Sequence, residues 1–345
     1  MTTPTAPVPD EEVLDEAPEP AGQPLWKQLL TGSNTSIALV LVAMIAVFSF
    51  LSFEEFFTVS NARNIATDAA VLLVVATGLT YVIITAGIDL SVGSVLVFSS
   101  VVSARMMNAV GGDGWGVIVV GILTGLAAGI GWGVLNGFLV SKAKIPSFIV
   151  TLGTLGMALG AALLITGGVD ERNVPFKLVE TIGTGRLFDQ IPYLVLIAAA
   201  VALVFGIILH QTRFGRYTYA IGSNEEGVRR AGVNVDLHLI KIYGLAGALS
   251  GLAGTLALAR FGTTSIAGNT TLNLDAIAAI VIGGTSLFGG VGTMIGTVVG
   301  VFIPAVLRNG FVIVGVQPFW QQVAVGAVLI VAVYLDQLRR ARYAR

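Results

Sequence analysis

Ten runs of mostly apolar residues follow one another along this chain, and only a lipid bilayer can bury all of them at once. They lie at 37–53, 65–86, 90–108, 117–140, 148–166, 193–209, 239–259, 274–288, 293–307 and 319–335. A helix needs about 20 apolar residues to cross the hydrocarbon core, so runs of this length predict membrane segments. The balance of side chains agrees: 55% are hydrophobic and 11% charged, where a soluble domain carries about 25% charged residues. The expected fold is all-α, a polytopic transmembrane helical bundle of about ten membrane segments. Some runs are short or broken by glycine, which predicts half-helices and re-entrant pieces near 87–94 and 283–292, where irregular backbone must line protein or water.

Residues 1–35 differ in kind. They are rich in proline and in acids (Asp10, Glu11, Glu12, Asp15, Glu16, Glu19), lack the basic segment that opens a secretory signal, and are expected to form a retained, disordered tail. Residues 36–340 are then one transmembrane domain, interrupted by a polar loop at 211–238. With ten spans and the N-terminus inside, that loop, Lys142, Lys144 and the C-terminal RRARYAR share the inner side. Of the 19 basic residues, 12 then lie inside and 7 outside, the bias expected of a cytoplasmic loop side with both termini cytoplasmic.

Glycine spacing carries the packing expectation. Gly121, Gly125, Gly129, Gly133 and Gly137 recur every four residues, which draws a ridge without side chains along one helix face; Gly292, Gly296 and Gly300 repeat the pattern. In lipid such ridges let helices approach closely and gain dispersion contacts. Helix packing is the preferred role for them over lining a path.

Patterns for catalysis are missing. The chain has no GxxxxGK[ST] phosphate loop, GxSxG elbow or HExxH helix, so it cannot hydrolyse ATP by a P-loop mechanism on its own. No catalytic residue is assigned. It has no cysteine and only His210 and His238, which gives no basis for a metal site. Nothing points to nucleic acid.

Polar residues at membrane depth are the candidates for a translocation path. Asp89 interrupts two apolar runs, and an unpartnered carboxylate there costs about 2.5–3.5 kcal/mol. Capping of the third span by Asp89 or Ser91 is the favoured role and is compatible with bordering a path. Asp275 opens the eighth span after Asn269, Thr270, Thr271 and Asn273, and reads as a cap or vestibule residue. Asn136, Thr151, Thr154, Gln321 and Gln322 complete the set, either bonding neighbouring helices or facing polyhydroxylated solutes.

The sharpest element is the loop. Ser223-Asn224-Glu225-Glu226 fits a capping box, with Ser223 as cap and Glu226 reaching back. Glu225 and Glu226 suit the positive N-terminus of a short helix, Arg229 and Arg230 its C-terminus, and Gly232 its stop. About two turns of helix are unstable alone in water, so this one needs the membrane domain's floor or a partner's cleft. The partner is favoured.

Five ordered segments then make the chain recognisable: GIDLSVGS at 87–94, FIVTLGT at 148–154, TRFGRYTYAIGSNEEGVRRAGV at 212–233, LDAIAAIVIGGTSLFGGVGT at 274–293 and FWQQVAVG at 319–326. Over roughly residues 60–340 it resembles the permease subunits of bacterial ABC importers for ribose, xylose, arabinose, galactose and related sugars. The resemblance implies a multi-pass protein of the bacterial plasma (inner) membrane that pairs with a second permease subunit, identical or related, amid membrane lipid. It also implies delivery of sugar by an extracytoplasmic binding protein, and cytoplasmic ATP-binding subunits that hold the ATP and Mg, this chain binding no cofactor itself. The 211–238 loop is then the coupling loop, and its helix near Glu225 to Ala231 is similar to a coupling helix seated in an ATPase groove. Two rivals stay open: a permease of the same import class for branched-chain amino acids or another small polar metabolite, and an ion-coupled secondary transporter using Asp89 and Asp275.

Overall fold

The structure is a computed structural model that describes residues 33–267 and 271–317, together with Trp320, Val323, Gly326, Ala327, Ile330 and Tyr334, which are helical. The tail at 1–32, Asn269, Thr270, Gln321, Gln322 and most of the run at 319–335 lie outside the described residues. Helices dominate: α1 (Ser33–Leu51), α2 (Phe53–Phe56), α3 (Val59–Ile84), α4 (Val92–Val110), α5 (Trp115–Ser141), α6 (Ser147–Thr166) and α7 (Phe176–Leu178). After a π-helical turn (Val179–Gly183) and a two-stranded hairpin (Arg186–Leu187 with Ile191–Pro192) come α8 (Tyr193–Gln211), α9 (Arg213–Ser223), α10 (Glu225–Arg230), α11 (Val235–Phe261), α12 (Leu272–Ile282) and α13 (Met294–Ile313). Seven are long and apolar enough to cross a membrane, and α1 and α12 supply two shorter apolar segments. This is an all-α multi-pass membrane protein. α1 begins at Ser33, three residues inside the stretch expected as tail.

Contacts between helix ends show that the segments alternate in direction. On one side, which we call the loop side, the Ile84 carbonyl accepts from the Gly290 N–H, His210 accepts from the Met294 N–H, and Lys142 meets Asp236. On the far side Phe48 packs on Phe56 and Phe311, Arg260 pairs with Asp68 and Arg105 with Glu171. The segments 85–91 and 283–293 are non-helical, as expected. Each joins oppositely running helices on the loop side rather than re-entering, and α12, which leads into the second, has only 11 residues, the half-helix expected there.

Burial ranks the helices. The apolar window of α3 is 89% buried and that of α11 83%, against 22% for α8 and 28% for α6, so α3 and α11 form the centre and α6 and α8 present apolar faces outward. α5 joins the centre through its glycines. A Cβ at Gly125 would lie 2.7 Å from Thr255 Cγ2, one at Gly137 2.7 Å from the Ile240 Cα, one at Gly121 2.5 Å from Met107, and those at Gly129 and Gly133 would strike the backbones of Gly247 and Tyr243. α11 answers with Gly247 and Gly251 against the backbones of Gly129 and Gly125. Gly296 and Gly300 pack against Gly283 and Ala279 in the same way and seat α13 on α12.

Candidate functional site

The polar loop folds into two helices where one was expected. Thr212 opens α9 by accepting from the Gly215 N–H, and α9 lies on the floor of the bundle. There the Tyr219 hydroxyl donates to the Gly292 carbonyl at 2.7 Å, Thr218 meets His238 Nε2 at 3.0 Å, and Phe214 packs on the His238 ring at 4.5 Å between centroids. Burial pushes the Tyr219 phenol up to about 12, so it stays a donor at physiological pH.

α10 is only Glu225–Arg230, and its cap is Asn224 rather than Ser223. The Asn224 side chain accepts from the Gly227 N–H at 2.9 Å. Ser223 is the last residue of α9, and its hydroxyl donates back to the Tyr219 carbonyl at 3.0 Å. Glu226 does not reach back to close a capping box. It pairs with Arg230 at 3.1 Å, as Glu225 does with Arg229 at 2.9 Å, both four residues apart. The cap falls at Asn224 because the chain stays helical through Ser223 and breaks at Asn224, whose ψ is 89°. Gly232 behaves as expected, with φ +83° ending the turn, a conformation costing a side chain roughly 1–2 kcal/mol.

The result is a small helix with charge at its tip. Glu226 and Arg230 are 66% and 78% exposed, while Val228 inserts between Ile221, Val235 and Leu239 and fixes the base. Arg229 crosses to Asp236 at 2.8 Å, and its pKa is raised by hydrogen bonds to Asp236 and Glu225. Asp236 also takes Lys142 at 3.0 Å and Lys144 at 3.2 Å. Sequence reading missed Asp236, because its lysine partners lie some ninety positions away and no local pattern joins them.

Three of the path candidates come together. Asp89 is 2% exposed, and its Oδ1 accepts from the Ser91 N–H at 2.8 Å and the Ser91 hydroxyl at 2.6 Å. Ser91 in turn accepts from Asn136 Nδ2 at 2.9 Å. Ser91 occupies the cap position of α4 without a side-chain cap bond, so Asp89 orders the entry to α4 from two residues ahead of the cap. Thr151 is buried beside the Ile88 carbonyl at 3.1 Å, whereas Thr154 bonds only the Thr151 carbonyl of its own helix.

Asp275 lies apart from them. It does not cap α12, whose cap position is Thr271; instead it pairs with Arg308 of α13 on the far side. The pair borders a hollow of about 360 Å³ together with Asp68 and Arg260, and Arg308, Asp68 and Arg260 also line a second of about 610 Å³ with Arg63 and Arg186. A vestibule position fits; a capping one does not. No group of three metal-ligating side chains occurs among the described residues.

Among the described residues the arrangement is a short braced helix with exposed charge at its tip, a packed bundle and buried polar ties. Comparison with known proteins agrees with that character. Residues 61–333 match the family described as branched-chain amino acid transport system / permease component. The ribose import permease protein of Escherichia coli K12 is 37% identical over 310 residues, covering 88% of this chain and 93% of that protein. The ribose import permease protein of Bacillus subtilis 168 is 38% identical over 305 residues (88% and 92%). The galactose/methyl galactoside import permease protein of Escherichia coli K12 is 35% identical over 322 residues (89% and 94%). No solved structure matches. With its multi-pass helical bundle and a match of this extent, the chain belongs to the branched-chain amino acid transport system / permease component family of transport permeases.

Proposed function

We propose that this chain is the translocating subunit of an ATP-binding-cassette importer for a monosaccharide of the pentose or hexose class. It works as one of two permease subunits in a bacterial plasma membrane, with the loop side and both termini cytoplasmic, and with the permease domain beginning at α1 rather than at residue 36. An extracytoplasmic binding protein delivers sugar to the far side. ATP and Mg belong to cytoplasmic ATPase subunits that grip α10. Closure of those subunits shifts α10 and biases the bundle between two access states, so that nucleotide binding energy becomes a population shift.

The observation that carries the reading is α10 itself. Six residues cannot hold a helix in water, yet this one is braced at its base by Val228 and Arg229 while its tip carries exposed charge of both signs. A soluble partner is the natural occupant of such a tip. Sugar as cargo is supported by the relatives' names. The family's description favours a second reading, a branched-chain amino acid as cargo, which differs only in what is carried. Ion coupling is disfavoured because Asp275 is held by Arg308 and Asp89 by Ser91.

The test is co-purification of the ATPase, with sugar uptake, for Glu225→Arg and Gly232→Val. Both lie outside the spans, so the permease should insert and fold while the ATPase detaches or uncouples. Normal association and normal uptake in both variants refute the assignment of α10.

A further inference from the structure

Asp236 is partly buried, with 14% side-chain exposure, and faces three cations from two separate parts of the chain: Arg229 of α10, and Lys142 and Lys144 of the turn between α5 and α6. Of these only Arg229 has a second carboxylate, Glu225. Lys142 and Lys144 are about half exposed and would otherwise turn to water. Asp236 therefore holds α10 and the α5–α6 turn together across a gap that no backbone bridges.

That turn is not slack. Lys144 sits at φ +57°, a left-handed conformation that a non-glycine residue keeps only when its surroundings hold it there. Two residues after Ile145, Ser147 begins α6, and its hydroxyl accepts the Ile88 N–H at 3.1 Å. The Thr151 hydroxyl lies 3.1 Å from the Ile88 carbonyl. Both backbone groups of Ile88 are thus held by the first two turns of α6. Ile88 stands in the non-helical break 85–91, beside Ala86, itself left-handed at φ +60°, and Asp89, which orders the entry to α4. A continuous chain of direct contacts runs from α10 through Asp236, the α5–α6 turn and the start of α6 to the break between α3 and α4.

We propose that Asp236 is the positioning residue that transmits displacement of α10 into the membrane domain, by making α10 and the α5–α6 turn move as one piece. This rests on the reading of α10 as the ATPase-docking helix. A shift of α10 by an ångström or two must either break the 2.8 Å Arg229–Asp236 bond or carry the turn, α6 and Ile88 with it. With three cations around one carboxylate, the second course is favoured: losing Asp236 would leave like charges facing one another.

The experiment uses the complete transporter, permease with its ATPase and binding protein, in liposomes, and reads ATPase co-purification, ATP turnover and sugar imported per ATP. Asp236→Asn should keep the ATPase bound and turning over while sugar per ATP falls about 5-fold or more, the lower end of typical coupling factors. Asp236→Glu should restore most of it. The double variant Lys142→Gln/Lys144→Gln strips only half-exposed side chains, so it carries the same test if Asp236→Asn fails to assemble. It should show the same fall, and adding Asp236→Asn to it should cost little more, the signature of one shared interaction. Normal sugar per ATP in Asp236→Asn or in the lysine double variant, or losses that multiply in the combination, overturns the proposal and leaves α10 as the docking helix. Failure of the wild-type chain to bind the ATPase at all overturns both.

Discussion

Gly129 and Gly131 sit two residues apart on α5, and the fold assigns them opposite responses to the same added methyl. At Gly129 a Cβ would lie 2.9 Å from the Gly251 nitrogen and 3.0 Å from the Gly247 carbonyl carbon, and closer still to the Gly247 oxygen. Ordinary contact begins near 3.4 Å, and every atom struck is backbone, so no rotamer change relieves it. α5 and α11 must part locally by about 1 Å, which forfeits a quarter to a half of the dispersion between the facing atoms. Overpacking of this kind costs about 1–3 kcal/mol, against a gain of roughly 1 kcal/mol from replacing glycine with alanine in a helix. At Gly131 a Cβ meets nothing within 4 Å, and only the gain remains. Gly131→Ala should therefore be neutral or stabilising, and because the helix gain is common to both, the two variants should differ by the overpacking cost, about 1–3 kcal/mol, or roughly 2–12 °C in Tm. Thermal unfolding of both purified proteins in one detergent measures the difference. Indistinguishable melting, or the reverse order, would refute the ridge as the close contact between α5 and α11.

Three further outcomes follow from the site. Asp89→Asn keeps an acceptor for Ser91 and should retain most uptake, whereas Asp89→Leu strands the Ser91 N–H at about 1–3 kcal/mol and should abolish it; equal loss in both, with proton-driven uptake without ATP, would instead favour ion coupling. Asn224→Ala should weaken ATPase co-purification through loss of a cap worth about 1 kcal/mol, while Ser223→Ala should be silent; the reverse ranking would restore Ser223 as the cap. On this cysteine-free chain, an impermeant thiol reagent applied outside intact cells should label Phe188→Cys, at an 87% exposed site on the far side, and spare Ser223→Cys. Labelling of Ser223→Cys alone would invert the assigned orientation.

The spans were legible because hydrocarbon imposes a length and a composition on each one separately. Nine of the ten expected runs appear as helices at nearly the expected positions. The four-residue glycine repeat was legible for the same reason, since a helix face is a local property of sequence. Gly232 could be read as a stop because a left-handed turn is a demand on one residue. The cap of α10 misled because Ser223 and Asn224 are adjacent and equally suited to it. Only the seating of α9 on Gly292 and His238, which holds Ser223 helical, decides between them.

What sequence alone determined about this protein is therefore the part governed by neighbours in the chain: membrane residence, the place of nine segments, the packing ridge, and a polar helical loop between the spans. Tertiary structure decided the pairing of charges. Asp275 with Arg308, Asp68 with Arg260, and Asp236 with Arg229, Lys142 and Lys144 join different helices. A carboxylate near or within a membrane must find a partner, but nothing in its own segment says which. That choice depends on which helix ends the packing of α3, α5 and α11 brings to the same side.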